Sequence, residues 1–341
     1  VAVVNRSKAG LAYNPPDAHW RDSEGEYVSD MQEPVVSAEL VAVLVAVSDG
    51  EPRVLTTDAG QALPAGPFQH THRSLQTGLR DWVETQTHHP VGYVEQLYTF
   101  ADRDRFDAQG MRIVSVSYVG LTREVGQPDV AQVIWQDCYR YFPWEDWRDG
   151  APSIIQSTIV PALLNWCEQD ESLRALRRQR VNYSFGLEGA IWNEDFVLQR
   201  YELLYEAGLL PESCRRRQRE QQELGKHDEL GLGMRHDHRR ILATGLARLR
   251  AKIKYRPVVF ELMPPEFTLL QLQQAVEALA GRGLHKQNFR RLIEQQALVE
   301  ETGAMSLGGS GRPAKLFRFR GDVLFERAIS GSKLPLAKQA R

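Results

Sequence analysis

The sequence predicts an α+β fold in which a mixed sheet flanked by helices carries a mainly helical insertion and leads into a C-terminal pair of helices backed by a hairpin. Three observations support this. Runs rich in β-branched residues, broken by turn chemistry, recur between residues 39 and 121 with a single helical stretch among them. From about residue 130 to 231 the chain becomes aromatic and then helical in period. Near the C-terminus, Lys286-Gln287-Asn288-Phe289-Arg290-Arg291 precedes a Gly-rich basic segment, Gly308-Gly309-Ser310-Gly311-Arg312-Pro313-Ala314-Lys315.

Residues 1–34 are polar and punctuated by proline, which predicts an irregular N-terminal arm. Glu39 to Val47 are almost continuously β-branched or small; Asp49-Gly50 then supplies a turn and Arg53 to Thr56 a returning strand, so a hairpin opens the sheet. A helix is expected from Ser74 to Gln86, with strands at Tyr93 to Phe100 and Arg112 to Leu121. These belong to a first unit spanning residues 35–254, into which residues 130–232 are inserted.

Within the insertion, Ile155, Ile159, Leu163 and Trp166 recur at helical spacing, and Pro161 should kink or divide that helix. Asn193 is expected to cap a helix that stops at Gly208. Arg215 to Asp228 alternate in charge without an apolar stripe and read as a solvated loop or a frayed helix end. A further helix, Asp237 to Lys254, buries Leu242, Leu246, Leu249 and Ile253. Its Arg248, Arg250, Lys252 and Lys254 favour the C-terminal half, where cations suit the helix dipole. Arg256-Pro257 should end it, a second domain beginning near Tyr255 (residues 255–325), with a tail at 326–341.

Bulk properties narrow the function. The chain has 341 residues, 42% hydrophobic and 25% charged, ordinary for a globular protein with sizeable cores. A net charge of −2 conceals a local excess, because residues 281–320 hold eight Lys or Arg against three Glu. Polyanion binding is therefore expected there alone. Cys138, Cys167 and Cys214 are too scattered for a metal knuckle or a disulfide framework, which fits a reducing cytoplasm. No apolar run reaches the length of a membrane span, and the N-terminal residues lack a signal-peptide core.

The C-terminal unit reads as a winged helix that binds duplex DNA. Thr268 is a natural N-cap and a candidate for DNA contact; Leu269, Leu272, Val276 and Leu279 give the next helix one buried face, and Gly281 and Gly283 break it. The second helix should bury Phe289, Leu292 and Ile293 while turning Lys286, Gln287, Asn288, Arg290 and Arg291 outward. Leu298-Val299 and Leu316 to Phe319 supply the hairpin, with Arg312 and Lys315 near its tip. Asn and Gln can pair bidentately with adenine and Arg with guanine, while Arg312 and Lys315 suit phosphate. A single such helix reads few base pairs, so a homodimer on a palindromic operator is expected.

Two stretches resemble one family. Gly66 is followed, at the spacing of the Nudix signature, by His72 and then by Arg80-Asp81-Trp82-Val83-Glu84-Thr85-Gln86-Thr87-His88. His72, Asp81 and Thr85 stand where that signature has glutamates, and Glu84 alone keeps its carboxylate. The segment from Tyr255-Arg256-Pro257 through Leu262-Met263-Pro264 and Phe267-Thr268-Leu269 to Gly311-Arg312-Pro313-Ala314 looks like the winged helix of Nudix-related transcriptional regulators. Leu63 to Phe68, Glu95 to Phe100 and Pro143-Trp144-Glu145-Asp146-Trp147 are most similar to the NadQ branch of NAD-metabolism repressors.

The resemblance implies a Nudix-like sheet domain without catalysis or a resident metal. It also implies a nucleotide effector (ADP-ribose, NAD or ATP) in the former catalytic pocket, and a homodimer that releases operator DNA on binding it. Arg80, Glu84, Tyr98, Phe100, Arg103 and Arg105 are the candidates for that pocket. The competing expectation is an active Nudix hydrolase in which Asp81 and Glu84 share a metal. A third is that the winged helix and the aromatic insertion dock protein partners.

Overall fold

The computed structural model describes residues 36–92, 94–101, 106, 110–124, 130–213, 228–253, 258–306 and 313–321. The N-terminal arm, most of the charged Arg215 to Asp228 loop, Arg103, Arg105, Arg312, Tyr255 and the C-terminal tail lie outside the described residues.

Strand β1 (Val36–Ser48) is the centre of the sheet. Leu40 to Ala46 are buried without interruption, the pattern of a strand covered on both faces. It runs parallel to β5 (Arg112–Leu121), in register from Val36 opposite Arg112 to Val45 opposite Leu121. The hairpin forms where expected: Asp49 and Gly50, both at positive φ, return the chain into β2 (Glu51–Thr56). β3 (Ala65–Pro67) pairs with the N-terminal half of β1, and β4 (Val94–Phe100) pairs antiparallel with β5 across a bulge between Gln96 and Thr99. β6 (Ile134–Asp137) closes the order β4-β5-β1-β2-β6, so the stretch read as inserted from residue 130 contributes a strand to the sheet before its helices begin.

Alternation along β1 separates two faces. Leu40, Ala42 and Leu44 meet Leu79 and Val83 of α1 (Leu75–Thr87), whose N-cap Ser74 accepts from the Thr77 amide at 3.2 Å. Val41, Val43 and Val45 belong to the larger core on the other face. That core takes in a helical layer: α2 (Val160–Glu168), α3 (Arg174–Phe185), α4 (Val197–Glu206) and α5 (His238–Ile253). The chain enters α2 through a π turn at Ile155–Ile159, which takes up the irregularity expected from Pro161. Asn193 does not cap α4: its Oδ1 accepts from the Asp195 amide at 3.0 Å, making a turn before the helix, which starts at Val197. The stop at Gly208 is real, with φ +77°. Among the described residues no helix is long and apolar enough to cross a membrane.

The C-terminal unit comprises α6 (Leu269–Ala280), α7 (Lys286–Gln296) and the hairpin β7 (Val299–Met305) and β8 (Lys315–Phe319). It is docked on the rest of the chain through the C-terminal end of α6. The Trp147 amide donates to the Gly281 carbonyl at 2.7 Å and the Tyr139 hydroxyl to the Ala278 carbonyl at 2.6 Å. Arg250 Nε donates to the Leu279 carbonyl at 3.1 Å. Arg250, expected on the dipole-complementing surface of its helix, is instead fully committed in the interior. Its Nη1 lies 2.6 Å from Glu145 Oε2, while Arg200 Nε and Nη2 hold the same carboxylate at 2.5 and 2.8 Å. Gly281, at φ +67°, lies so close to this cluster that a Cβ there would be 2.4 Å from both Arg250 Nη2 and the Glu145 carbonyl oxygen.

Burial pushes the Glu145 carboxyl upward, but Arg200 and Arg250 outweigh it and hold the group below the ordinary glutamate range. With a folded value below the unfolded one, its stabilisation is complete above the ordinary glutamate range and is lost as pH falls through the lowered folded value. Glu145→Gln is expected to cost about 3–5 kcal/mol in urea unfolding at pH 7, with a smaller difference from wild type in acid. Gly281→Ala should destabilise by about 1–3 kcal/mol from backbone strain alone, read in the same assay.

Candidate nucleic-acid interface and ligand face

The reader is built by local capping and a narrow apolar seam. Thr268 closes a capping box: its Oγ1 accepts from the Gln271 amide at 3.2 Å, and Gln271 Oε1 accepts from the Thr268 amide at 2.8 Å. The Thr268 hydroxyl, a sequence candidate for DNA contact, is thus engaged in starting α6. Leu272, Ala275, Ala278 and Leu279 fix α6 inward, and Phe289 and Ile293 fix α7. Leu292, expected in that seam, is 49% exposed, because α7 rests on the protein through Phe289 and Ile293 alone. Lys286, Gln287, Asn288, Arg290 and Arg291 are all exposed on α7, as their spacing predicts.

Behind α7, the hairpin is anchored by rings. Phe319 packs on Phe260 and Phe267 with centroids 3.8 and 4.6 Å apart, and Phe267 exchanges backbone hydrogen bonds with Phe317 at 2.8 and 2.9 Å. Lys315 stands exposed at the start of β8, bonded to Glu301 at 2.9 Å. Arg312 and most of the wing tip fall outside the described residues.

The other candidates sit around the sheet. Arg80 and Glu84 share one face of α1 at helical spacing, but the Arg80 guanidinium donates to the carbonyls of Val91 and Gly92, tying the helix to the following loop. Glu84 is exposed. Phe100 is buried in the core on the opposite face of the sheet, with Arg240 over its ring at 5.4 Å. Tyr98, 63% exposed, meets Phe100 edge-on with centroids 5.4 Å apart. The structure therefore separates Arg80 and Glu84 from Phe100, since α1 and the β4 bulge serve different cores. Phe100 is a packing residue, and Tyr98 alone of that pair is open to a ligand.

His72 and Gly66 are held in local packing. His72 Nδ1 accepts from the Gln69 amide at 3.0 Å, and its ring meets Phe68 and Trp82 at 5.8 and 6.5 Å. Trp82 donates to the Pro67 carbonyl at 2.8 Å and lies against Gly66, where a Cβ would fall 2.3 Å from the ring. Among the described residues no three His, Cys, Asp or Glu side chains gather where a metal could be held. A histidine tied to its own loop and a threonine beside one Asp and one Glu do not fit the oxygen-rich site that Mg²⁺ requires.

Residues 259–319 match the NrtR DNA-binding winged helix domain family. The C-terminal unit is thus similar to an NrtR DNA-binding winged helix domain. The ADPR responsive transcriptional repressor NtrR of Acinetobacter baylyi is 41% identical over 90 residues, which cover 26% of this chain and 36% of that protein. The crystal structure of Shewanella oneidensis NrtR complexed with a 27mer DNA superposes with a TM-score of 0.50 at 20% identity, covering 84% of this chain and 94% of that one. The Nudix-like sheet with helices and the C-terminal winged helix are thus a fold shared with NrtR.

Within the C-terminal unit, core and surface separate cleanly. Thr268→Ala is expected to cost about 1 kcal/mol through loss of the capping box, whereas the exposed Arg291→Ala should stay within about 0.5 kcal/mol of wild type. Urea unfolding checks both. The buried Glu145, Arg200 and Arg250 were missed from sequence. The signal available was a carboxylate between Trp144 and Trp147, a setting in which a charged group needs buried partners.

Proposed function

We propose that this protein is a nucleotide-responsive, DNA-binding transcriptional repressor. The observation that carries the reading is the exposed face of α7, with Lys286, Gln287, Asn288, Arg290 and Arg291 presented by a winged helix of NrtR type. Phosphate contacts from Lys286 and Arg290 would set register, and Asn288 and Arg291 would read base edges in the major groove. A homodimer places two such helices on the half-sites of a palindromic operator controlling genes of NAD synthesis or salvage.

The effector is ADP-ribose, supported by the ADPR responsiveness of the Acinetobacter relative. It binds the Nudix-like domain, with the exposed Tyr98 as a contact, and weakens DNA binding. The loss of clustered carboxylates from α1 favours occupancy without turnover: a bound nucleotide then reports its own concentration.

Fluorescence anisotropy at fixed salt tests the reading, using promoter duplexes from NAD-synthesis genes. Arg291→Ala should weaken operator binding by about 1–3 kcal/mol, and ADP-ribose should weaken wild-type binding, with NAD and ATP as parallel arms. Equal operator affinity of Arg291→Ala and wild type would remove α7 as the reader. Turnover of ADP-ribose with Mg²⁺ or Mn²⁺ that is lost in Glu84→Gln would replace the sensory reading with a hydrolase.

A further inference from the structure

Two cations of the described part of the wing are covered by carboxylates of the same hairpin. Glu300 lies directly opposite Arg318 across the hairpin, its Oε1 2.7 Å from Arg318 Nε. Lys315 Nζ sits astride the Glu301 carboxylate, 2.9 Å from Oε1 and 3.0 Å from Oε2. Side chains alternate along β8, so Lys315 shares a face with Phe317 and Phe319 while Arg318 takes the other. Each face of the hairpin therefore carries one matched pair. The reader helix differs: among the described residues, Lys286, Arg290 and Arg291 make no ion pair.

This difference has a physical consequence for binding a polyanion. A cation already covered by a carboxylate releases no counterion when it meets phosphate, so it adds little to affinity for an arbitrary duplex. Both pairs are exposed, and exposed pairs are held weakly, so a phosphate fixed at the right place can displace the carboxylate. The displaced glutamate then stands beside the backbone, where a complex out of register suffers repulsion with no compensating contact.

We propose that Glu300 and Glu301 are specificity-determining residues of the DNA reader, acting as internal phosphate mimics. They hold Arg318 and Lys315 off generic duplex backbone and release them only where α7 is seated on its own site. The inference rests on the reading of this domain as a DNA binder. It adds that the wing is a conditional contact, whereas α7 is a permanent one.

The test uses the full chain and a random-sequence duplex of about 30 base pairs, long enough for a site of one to two helical turns, titrated over a salt series. Glu300→Gln and Glu301→Gln should each bind more tightly than wild type and steepen the dependence of log K on log salt by about 0.9, the signature of one added phosphate contact. Lys315→Ala in the Glu301→Gln background should abolish that gain. Glu171→Gln, which removes a carboxylate paired with Arg174 in the insertion, should leave the slope unchanged. Slopes unchanged in both wing variants, or a gain that survives Lys315→Ala, overturn the inference while leaving the DNA reading intact. Absence of duplex binding by every protein, wild type included, overturns both.

Discussion

One buried carboxylate sets the relation between the two halves of this molecule. Glu145 lies fully inside the protein on a short turn after the sheet, and an isolated charge there would be prohibitive. Two arginines make it tenable: Arg200 from the inserted helices and Arg250 from α5. Their remaining N–H groups go to backbone carbonyls, including Ser184, Asn193, Glu194 and Leu279. The last of these is at the end of α6, so the electrostatics that hold the insertion together also fix the first helix of the reader. Such a network is weak as a source of net stability but demanding in geometry, and it specifies one docking of the winged helix against the sheet.

A second buried arginine repeats the device nearby. Arg239 donates to the Tyr141 and Leu230 carbonyls and pairs with Glu212, which in turn accepts from the Met234 amide. Two helical turns of α5 thus hold, through one arginine each, the chain that crosses from the sheet into the helical layer. Aromatic residues of that crossing lie against the guanidinium groups, with Arg239 5.5 and 5.6 Å from the Phe142 and Trp144 ring centres. The aromatic richness that marked this stretch in the sequence is the packing that lets buried cations be tolerated.

On the other face, α1 packs on the sheet, and Arg80 and Gln86 bond the chain on either side of it. Gly66 remains because Trp82 leaves no room for a side chain, and His72 closes its own loop. The helix positions Arg80 as a staple to Val91 and Gly92. Asp81, Glu84 and Thr85 stay exposed on the solvent side of α1, and Tyr98 is exposed on β4.

Much of this was legible in the chain itself. The hairpin at Asp49-Gly50, the extent of β5, the helix near Ser74 to Gln86, the break at Gly281 and the exposed face of α7 all follow from turn chemistry, capping and period. These signals act over a few residues and survive without knowledge of neighbours. Leu292 was misjudged because helical period locates an apolar residue without saying how wide a seam its helix buries. Phe100 was misjudged because the bulge in β4 changes which face an aromatic side chain serves. By itself the sequence determined the α+β class, the order of elements and the exposed basic face of α7. Tertiary structure alone decided that Arg250 is an interior ligand of Glu145 and that Lys315 and Arg318 are matched by carboxylates. Glu145 lies 55 residues from Arg200 and 105 from Arg250, and charges that meet only when the chain closes leave no local pattern to read.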